Sequence, residues 1–121
     1  MNAAVTQIDA DAYCWTSVCP LTDMIDNVGQ CALVNGKQIA LFYLSEDKQL
    51  FAIDNYDPFS HANVLSRGVV GDIKGRLVVA SPIYKQHFDL ATGQCIEEAS
   101  IKLQCYPVRV LDGVIQIAGG N

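Results

Sequence analysis

Two histidines, a scatter of carboxylates and five cysteines are the side chains with the widest chemical range in this 121-residue chain. His61 and His87, together with Asp54, Asp57 or Asp89, could supply the two imidazoles and one carboxylate that hold iron in a free-standing metal-dependent enzyme. Their spacing matches no ligand motif, and a solvated loop histidine plus a strand-edge histidine account for them equally well. Ser60 beside His61 offers a nucleophile and a base, but no oxyanion-hole motif accompanies the pair. Cys14, Cys19, Cys31, Cys95 and Cys105 contain no C-x-x-C. Cys14 and Cys19 open the C-x4-C spacing of a plant-type iron–sulfur pattern, yet Thr22 stands where its third ligand belongs. Thiols acting mostly as small buried hydrophobes explain them better. There is no G-x-G-x-x-G dinucleotide fingerprint.

The elements that must position these groups read as short strands between turn residues, the all-β pattern. Tyr13 to Cys19 is a first strand, and Thr22 or Asp23 could cap one short turn of helix ending near Gly29. Cys31 to Val34 and Gln38 to Tyr43 flank Asn35-Gly36, the dipeptide that supplies positive φ to a type I′ hairpin turn. Ser45-Glu46-Asp47-Lys48 turns into a strand over Leu50 to Ile53. Further hairpins are expected at Val69 to Ile73 with Leu77 to Ala80, and at Tyr106 to Leu111 with Val114 to Ile117. His87 to Leu90 and Gln94 to Ile96 should pair across Ala91-Thr92-Gly93. Two stretches break the pattern, Asn55 to Arg67 and Ser81 to Gln86, and are longer than a hairpin needs. The sum is an antiparallel β-sandwich or small barrel of about nine or ten short strands. It spans residues 13–118 as one domain, with loose tails over 1–12 and 119–121.

Composition removes several classes. A net charge of −5 with only eight dispersed basic residues disfavours nucleic acid and anionic membrane as partners. No apolar run of about 18 residues exists to span a bilayer. The N-terminus has neither a basic n-region nor an apolar h-region, so a cytoplasmic location is expected.

The two irregular stretches resemble the cluster-binding loops of Rieske ferredoxins, an ISP-domain fold. In that family the first loop carries Cys-x-His and the second Cys-Pro-x-His, followed by a phenylalanine and a Thr-Gly turn. Here the corresponding residues are Asn55-Tyr56-Asp57 and Ser81-Pro82-Ile83-Tyr84, followed by Phe88 and Thr92-Gly93. The resemblance therefore places Asn55, Asp57, Ser81 and Tyr84 at the four ligand positions. A Rieske [2Fe–2S] centre needs two thiolates and two imidazoles. None of the four positions offers either, so a Rieske electron carrier is rejected while the fold resemblance stands.

A narrower resemblance runs in order along most of the chain. The Trp15 strand, Asn55 to Phe59, Val64-Leu65-Ser66-Arg67-Gly68, Val79-Ala80-Ser81-Pro82, Lys85-Gln86-His87-Phe88 and Val110-Leu111-Asp112-Gly113-Val114 are similar to the small subunit of NAD(P)H-dependent assimilatory nitrite reductase. That family is Rieske-like without the cluster. The resemblance implies a non-catalytic subunit with no cofactor of its own. It would support a large chain that carries FAD, a [4Fe–4S] cluster and sirohaem and reduces nitrite to ammonium with NAD(P)H.

In such a fold Tyr56, Phe59, His61, Arg67, Ile83, Lys85 and His87 would lie near the loop tips and could contact the partner. Phe59 could equally pack under its own loop, and Trp15 is expected in the core. Asn55, Asp57, Ser81 and Tyr84 could also face the partner, or form a hydrogen-bonded plug that seals the loops. Tyr84 is the side chain expected to reach across between them.

Overall fold

The segment Lys37-Gln38-Ile39-Ala40-Leu41-Phe42-Tyr43-Leu44 is apolar at nearly every position after its first two, and the fold explains why. In the computed structural model, which describes residues 14–46 and 48–119, this segment is the middle strand of a central sheet buried on both faces. Strand side chains alternate between faces. Ala40, Phe42 and Leu44 enter one core with Ile53, Leu65, Val79, Phe88, Leu90, Cys95 and Leu103. Ile39 and Leu41 enter a second core with Ala32, Val34, Ala52, Tyr106, Ile115 and Ile117.

The chain is all-β. Its strands are β1 (Trp15–Pro20), β2 (Gln30–Val34), β3 (Lys37–Leu44), β4 (Gln49–Asp54), β5 (Tyr56–Asp57), β6 (Ala62–Asn63), β7 (Val69–Ile73), β8 (Arg76–Ala80), β9 (His87–Asp89), β10 (Val108–Leu111) and β11 (Val114–Ala118). The central sheet has the order β2-β3-β4. A sheet of order β1-β11-β10 covers the second core, and one of order β7-β8-β9 covers the first. All pairings are antiparallel.

The expected hairpins are present. Asn35-Gly36, Lys74-Gly75 and Asp112-Gly113 all take positive φ, between 51° and 85°, as two-residue turns matched to strand twist require. The eleven strands among the described residues exceed the nine or ten expected, because the first irregular stretch hides the two-residue pair β5–β6. The helical turn near Thr22 shrinks to a 3₁₀ turn over Leu21–Asp23 with no side-chain cap, and does not run on to Gly29. Gln94 to Ile96 forms isolated bridges, Phe88 to Cys95 and Gln94 to Lys102, in place of a strand. Trp15 lies outside both cores, half-buried at a sheet edge with the Arg109 guanidinium 4.1 Å above its ring. The tail expected over 1–12, Tyr13, Asp47, Gly120 and Asn121 lie outside the described residues.

Both irregular stretches leave the same end of the molecule. β4 pairs Ile39 with Asp54 at one end and Leu44 with Gln49 at the other, so its exit into the first stretch is opposite the Ser45–Lys48 turn. β8 pairs Val69 with Ala80 at its exit, opposite the Lys74-Gly75 turn. Gly68 marks the point where the first stretch crosses that exit. A Cβ there would collide with the Ala80 carbonyl oxygen and lie 2.7 Å from Val79 Cγ2.

Candidate functional site

Asp57 closes the first loop on itself. Its Oδ1 accepts the Phe59 amide at 2.9 Å, its Oδ2 accepts the Ser60 hydroxyl at 2.9 Å, and its carbonyl accepts the His61 amide at 2.8 Å. Ser81 does the same for the second loop. Its Oγ accepts the Ile83 amide at 3.3 Å and its carbonyl accepts the Lys85 amide at 3.1 Å. Short polar side chains at such positions bond the backbone locally and fix the turn. In each loop the residue four places on is left-handed without being glycine, His61 at φ 60° and Lys85 at φ 67°.

The two loops are joined where these residues meet. The Ser81 hydroxyl donates to Asp57 Oδ2 at 2.5 Å, and both residues are buried. Burial pushes the Asp57 carboxyl up, but the bonds from Ser81, from the Phe59 amide and from Ser60 outweigh it. The carboxyl ends below its ordinary value and stays ionised.

Asn55 anchors the base of the first loop. Its Oδ1 accepts the Ser66 amide at 2.7 Å, and its Nδ2 donates to Gln38 Oε1 at 3.1 Å and approaches Cys31 Sγ at 3.6 Å. Ser66 lies in a 3₁₀ turn over Leu65–Arg67, whose Leu65 plugs into the first core.

Tyr84 is not part of this network. Its side chain is 61% exposed at the tip of the second loop, and no hydrogen bond to its hydroxyl occurs among the described residues. The expectation that it reaches across is corrected: Ser81, one short hydroxyl at the loop base, makes that bridge. Phe59 points inward, 6.1 Å from the Phe88 ring and packed against the first core. Of the other tip candidates, Tyr56, Arg67, Ile83, Lys85 and His61 are exposed. His87 is half-buried, its Nδ1 2.6 Å from Glu97 Oε2 and its amide donating to Glu97 Oε1 at 2.8 Å.

The histidines do not form a joint site. His61 Nδ1 faces the Tyr56 hydroxyl at 2.9 Å, whereas His87 faces Glu97. Among the described residues no group of three or more His, Cys, Asp or Glu comes together as a metal site. The iron site drawn from His61, His87 and an aspartate is thereby overturned. Nor do the cysteines assemble one. Only Cys95 is fully buried, Cys14 and Cys31 are exposed, and all five are free thiols. Burial pushes the Cys19, Cys31, Cys95 and Cys105 thiols up, away from the thiolate form that binds metals.

The loop donor set does not suit an iron–sulfur cluster either. It offers an amide, a carboxylate whose two oxygens are already bonded within the loops, a hydroxyl spent on that carboxylate, and an outward phenol. Two thiolates and two imidazoles would be needed.

Sequence reasoning missed Ser60, Gln38, Cys31, Ser66 and Glu97 as supports. The Asp57-x-x-Ser60 spacing carried a legible signal for one of them. The others are joined to the loops only by the tertiary fold.

A family model described as a Rieske-like [2Fe-2S] domain matches residues 14–118. A nitrite reductase (NADH) small subunit of Salmonella typhimurium is 44% identical over 105 residues, covering 87% of this chain and 97% of that protein. The solution structure of the Escherichia coli protein NirD superposes with a TM-score of 0.83 at 41% identity, covering 90% of this chain and 99% of that one. A nitrite reductase [NAD(P)H] large subunit of Klebsiella oxytoca is 37% identical over 103 residues, which is 85% of this chain but only 11% of that protein. In that protein a segment like this chain is part of the large polypeptide.

Proposed function

Because the chain belongs to the family of nitrite reductase (NADH) small subunits, built on a Rieske-like domain, we propose that it serves as the non-catalytic small subunit of an NAD(P)H-dependent nitrite reductase. It docks on a large chain that turns nitrite into ammonium. The observation that carries this reading is the Asp57–Ser81 junction. Side chains that consume one another's hydrogen-bonding capacity leave no donor set for a redox centre, so the electron-carrying groups belong to the partner. By the family resemblance these are FAD, a [4Fe–4S] cluster and sirohaem.

Asn55, Asp57, Ser81 and Tyr84 stand, on this reading, at positions that hold ligands in cluster-bearing relatives. Three of the four now hold loop to loop or loop to sheet. The Klebsiella oxytoca large subunit supports a shared assembly. Joining two parts in one chain raises their effective concentration, which is useful only where they work together.

Co-expression with the large chain under iron-replete conditions tests the proposal. The expected result is a complex in which removing this chain removes no iron and no flavin. Stoichiometric iron retained by the isolated chain would contradict it.

A further inference from the structure

We infer that the tip built from both loops is the face that docks on the large catalytic chain, and that it fits a surface whose carboxylates surround an apolar recess. The inference rests on the small-subunit reading above.

The Asp57–Ser81 bond makes the tip one surface, because Tyr56, Pro82 and Ile83 lie within two residues of it. Among the described residues, four of the nine exposed large hydrophobic side chains gather at this end: Tyr56 at 43%, Ile83 at 46%, Tyr84 at 61% and Val69 at 71% exposure. Val69 belongs here because its register partner, Ala80, leads directly into Ser81. Clustered exposed aromatic and aliphatic side chains are costly in water and mark interaction sites, with tyrosine over-represented among binding hot spots.

Charge selects the partner's chemistry. Residues 55–67 and 81–87 contain one carboxylate, Asp57, which is buried and fully bonded. The same stretches expose Arg67, Lys85 and His61. The opposite end of the same strands carries both signs, with Glu46, Lys48, Asp72 and Lys74. In a chain of net charge −5 the two loops therefore expose only cationic ionic groups, with Glu97 at their margin paired to His87. Such a face steers towards acidic surfaces and is repelled by basic ones.

Shape is preset as well. The carbonyls of Asp57 and Ser81 hold His61 and Lys85 in left-handed conformations, so the tip does not have to be ordered on binding. Phe59 and His87 are not part of the face, because one fills the core and the other is held by Glu97.

The test titrates the full chain against the purified large subunit at low and high salt. Tyr84→Ser, Ile83→Ser and Lys85→Glu should each weaken binding about tenfold or more, with the wild-type affinity falling as salt rises. Ile25→Ser, beside the Asp26 that accepts the Ser45 amide, and Lys74→Glu, both at the opposite end, should stay within about twofold, as neutral sites away from an interface do. All five side chains are exposed, so denaturation midpoints check that each variant folds. Wild type that binds with the tip variants unaffected overturns this inference alone. A self-associating chain that Tyr84→Ser dissociates also overturns it, by making a second copy the occupant. Wild type that does not bind the large subunit overturns the small-subunit reading and this inference together.

Discussion

Ser81 donates its hydroxyl to the Asp57 carboxylate at 2.5 Å, and this one bond ties the second loop to the first. Each partner also organises its own loop, Asp57 through the Phe59 amide and Ser81 through the Ile83 amide. The pair thus couples two local turns into one rigid end of the molecule.

Removing the hydroxyl with Ser81→Ala should cost about 2 kcal/mol of stability, the value of a buried hydrogen bond to a charged group. Tyr84→Phe should leave the urea midpoint unchanged, since that hydroxyl faces solvent. Equal midpoints for Ser81→Ala and wild type would show that the loops are held by other means.

Stability should fall in acid, with a sign set by the loop carboxylate. Asp57 titrates below its ordinary 3.8 in the folded chain, so the unfolded chain binds more protons across that interval. Its contribution is complete above the ordinary value and is lost as pH falls through it towards the lower folded value. Asp89 is lowered in the same direction: burial pushes it up, but bonds from Arg76 and from the Ala91 and Thr92 amides outweigh this. Asp57→Asn should therefore flatten the acid limb of a stability–pH curve without abolishing it. An unchanged slope would count against an ionised Asp57.

Asn55→Ala should be destabilising by about 1–3 kcal/mol, because the Ser66 amide would lose its acceptor inside the protein. Asn55→Asp keeps that acceptor but turns a carboxylate oxygen towards Gln38 Oε1, so it should recover only part of the loss. Chemical denaturation of the two variants reads the difference. Full recovery by Asp would show that the Gln38 amide turns over to donate to the new carboxylate oxygen, or that its contact contributes nothing.

The correspondence with ligand positions has its own test. Asn55→Cys, Asp57→His, Ser81→Cys and Tyr84→His together should give a chain that holds two irons after reconstitution and absorbs visible light. A folded quadruple variant that stays colourless would show that these are not the ligand positions.

Much of this was legible in the residues. Asn35-Gly36 and Asp112-Gly113 announced their hairpins because few residues tolerate positive φ, and the structure places both as expected. Asn55, Asp57 and Ser81 stood out as polar residues in loops that otherwise required ligands. The bridging role was assigned to Tyr84 because a long phenol can span a gap. The sequence does not encode how closely the two loop bases approach, and at that separation a serine suffices. Likewise the apolar run in β3 signals burial but not that two separate cores claim its alternate side chains. The turn after Thr22 failed as a helix because Met24, partly buried against the second core, draws the chain back into extended backbone at ψ 138°.

The central claim is that this chain acts by binding a catalytic partner and carries no electrons itself. It is tested most directly by measuring NAD(P)H-driven nitrite reduction by the large subunit while this chain is titrated in. This chain alone should show no activity. The large subunit's rate, or its half-life at elevated temperature, should rise saturably and reach its plateau at a fixed ratio of the two chains. A rate and half-life that stay flat across the whole titration would contradict the claim.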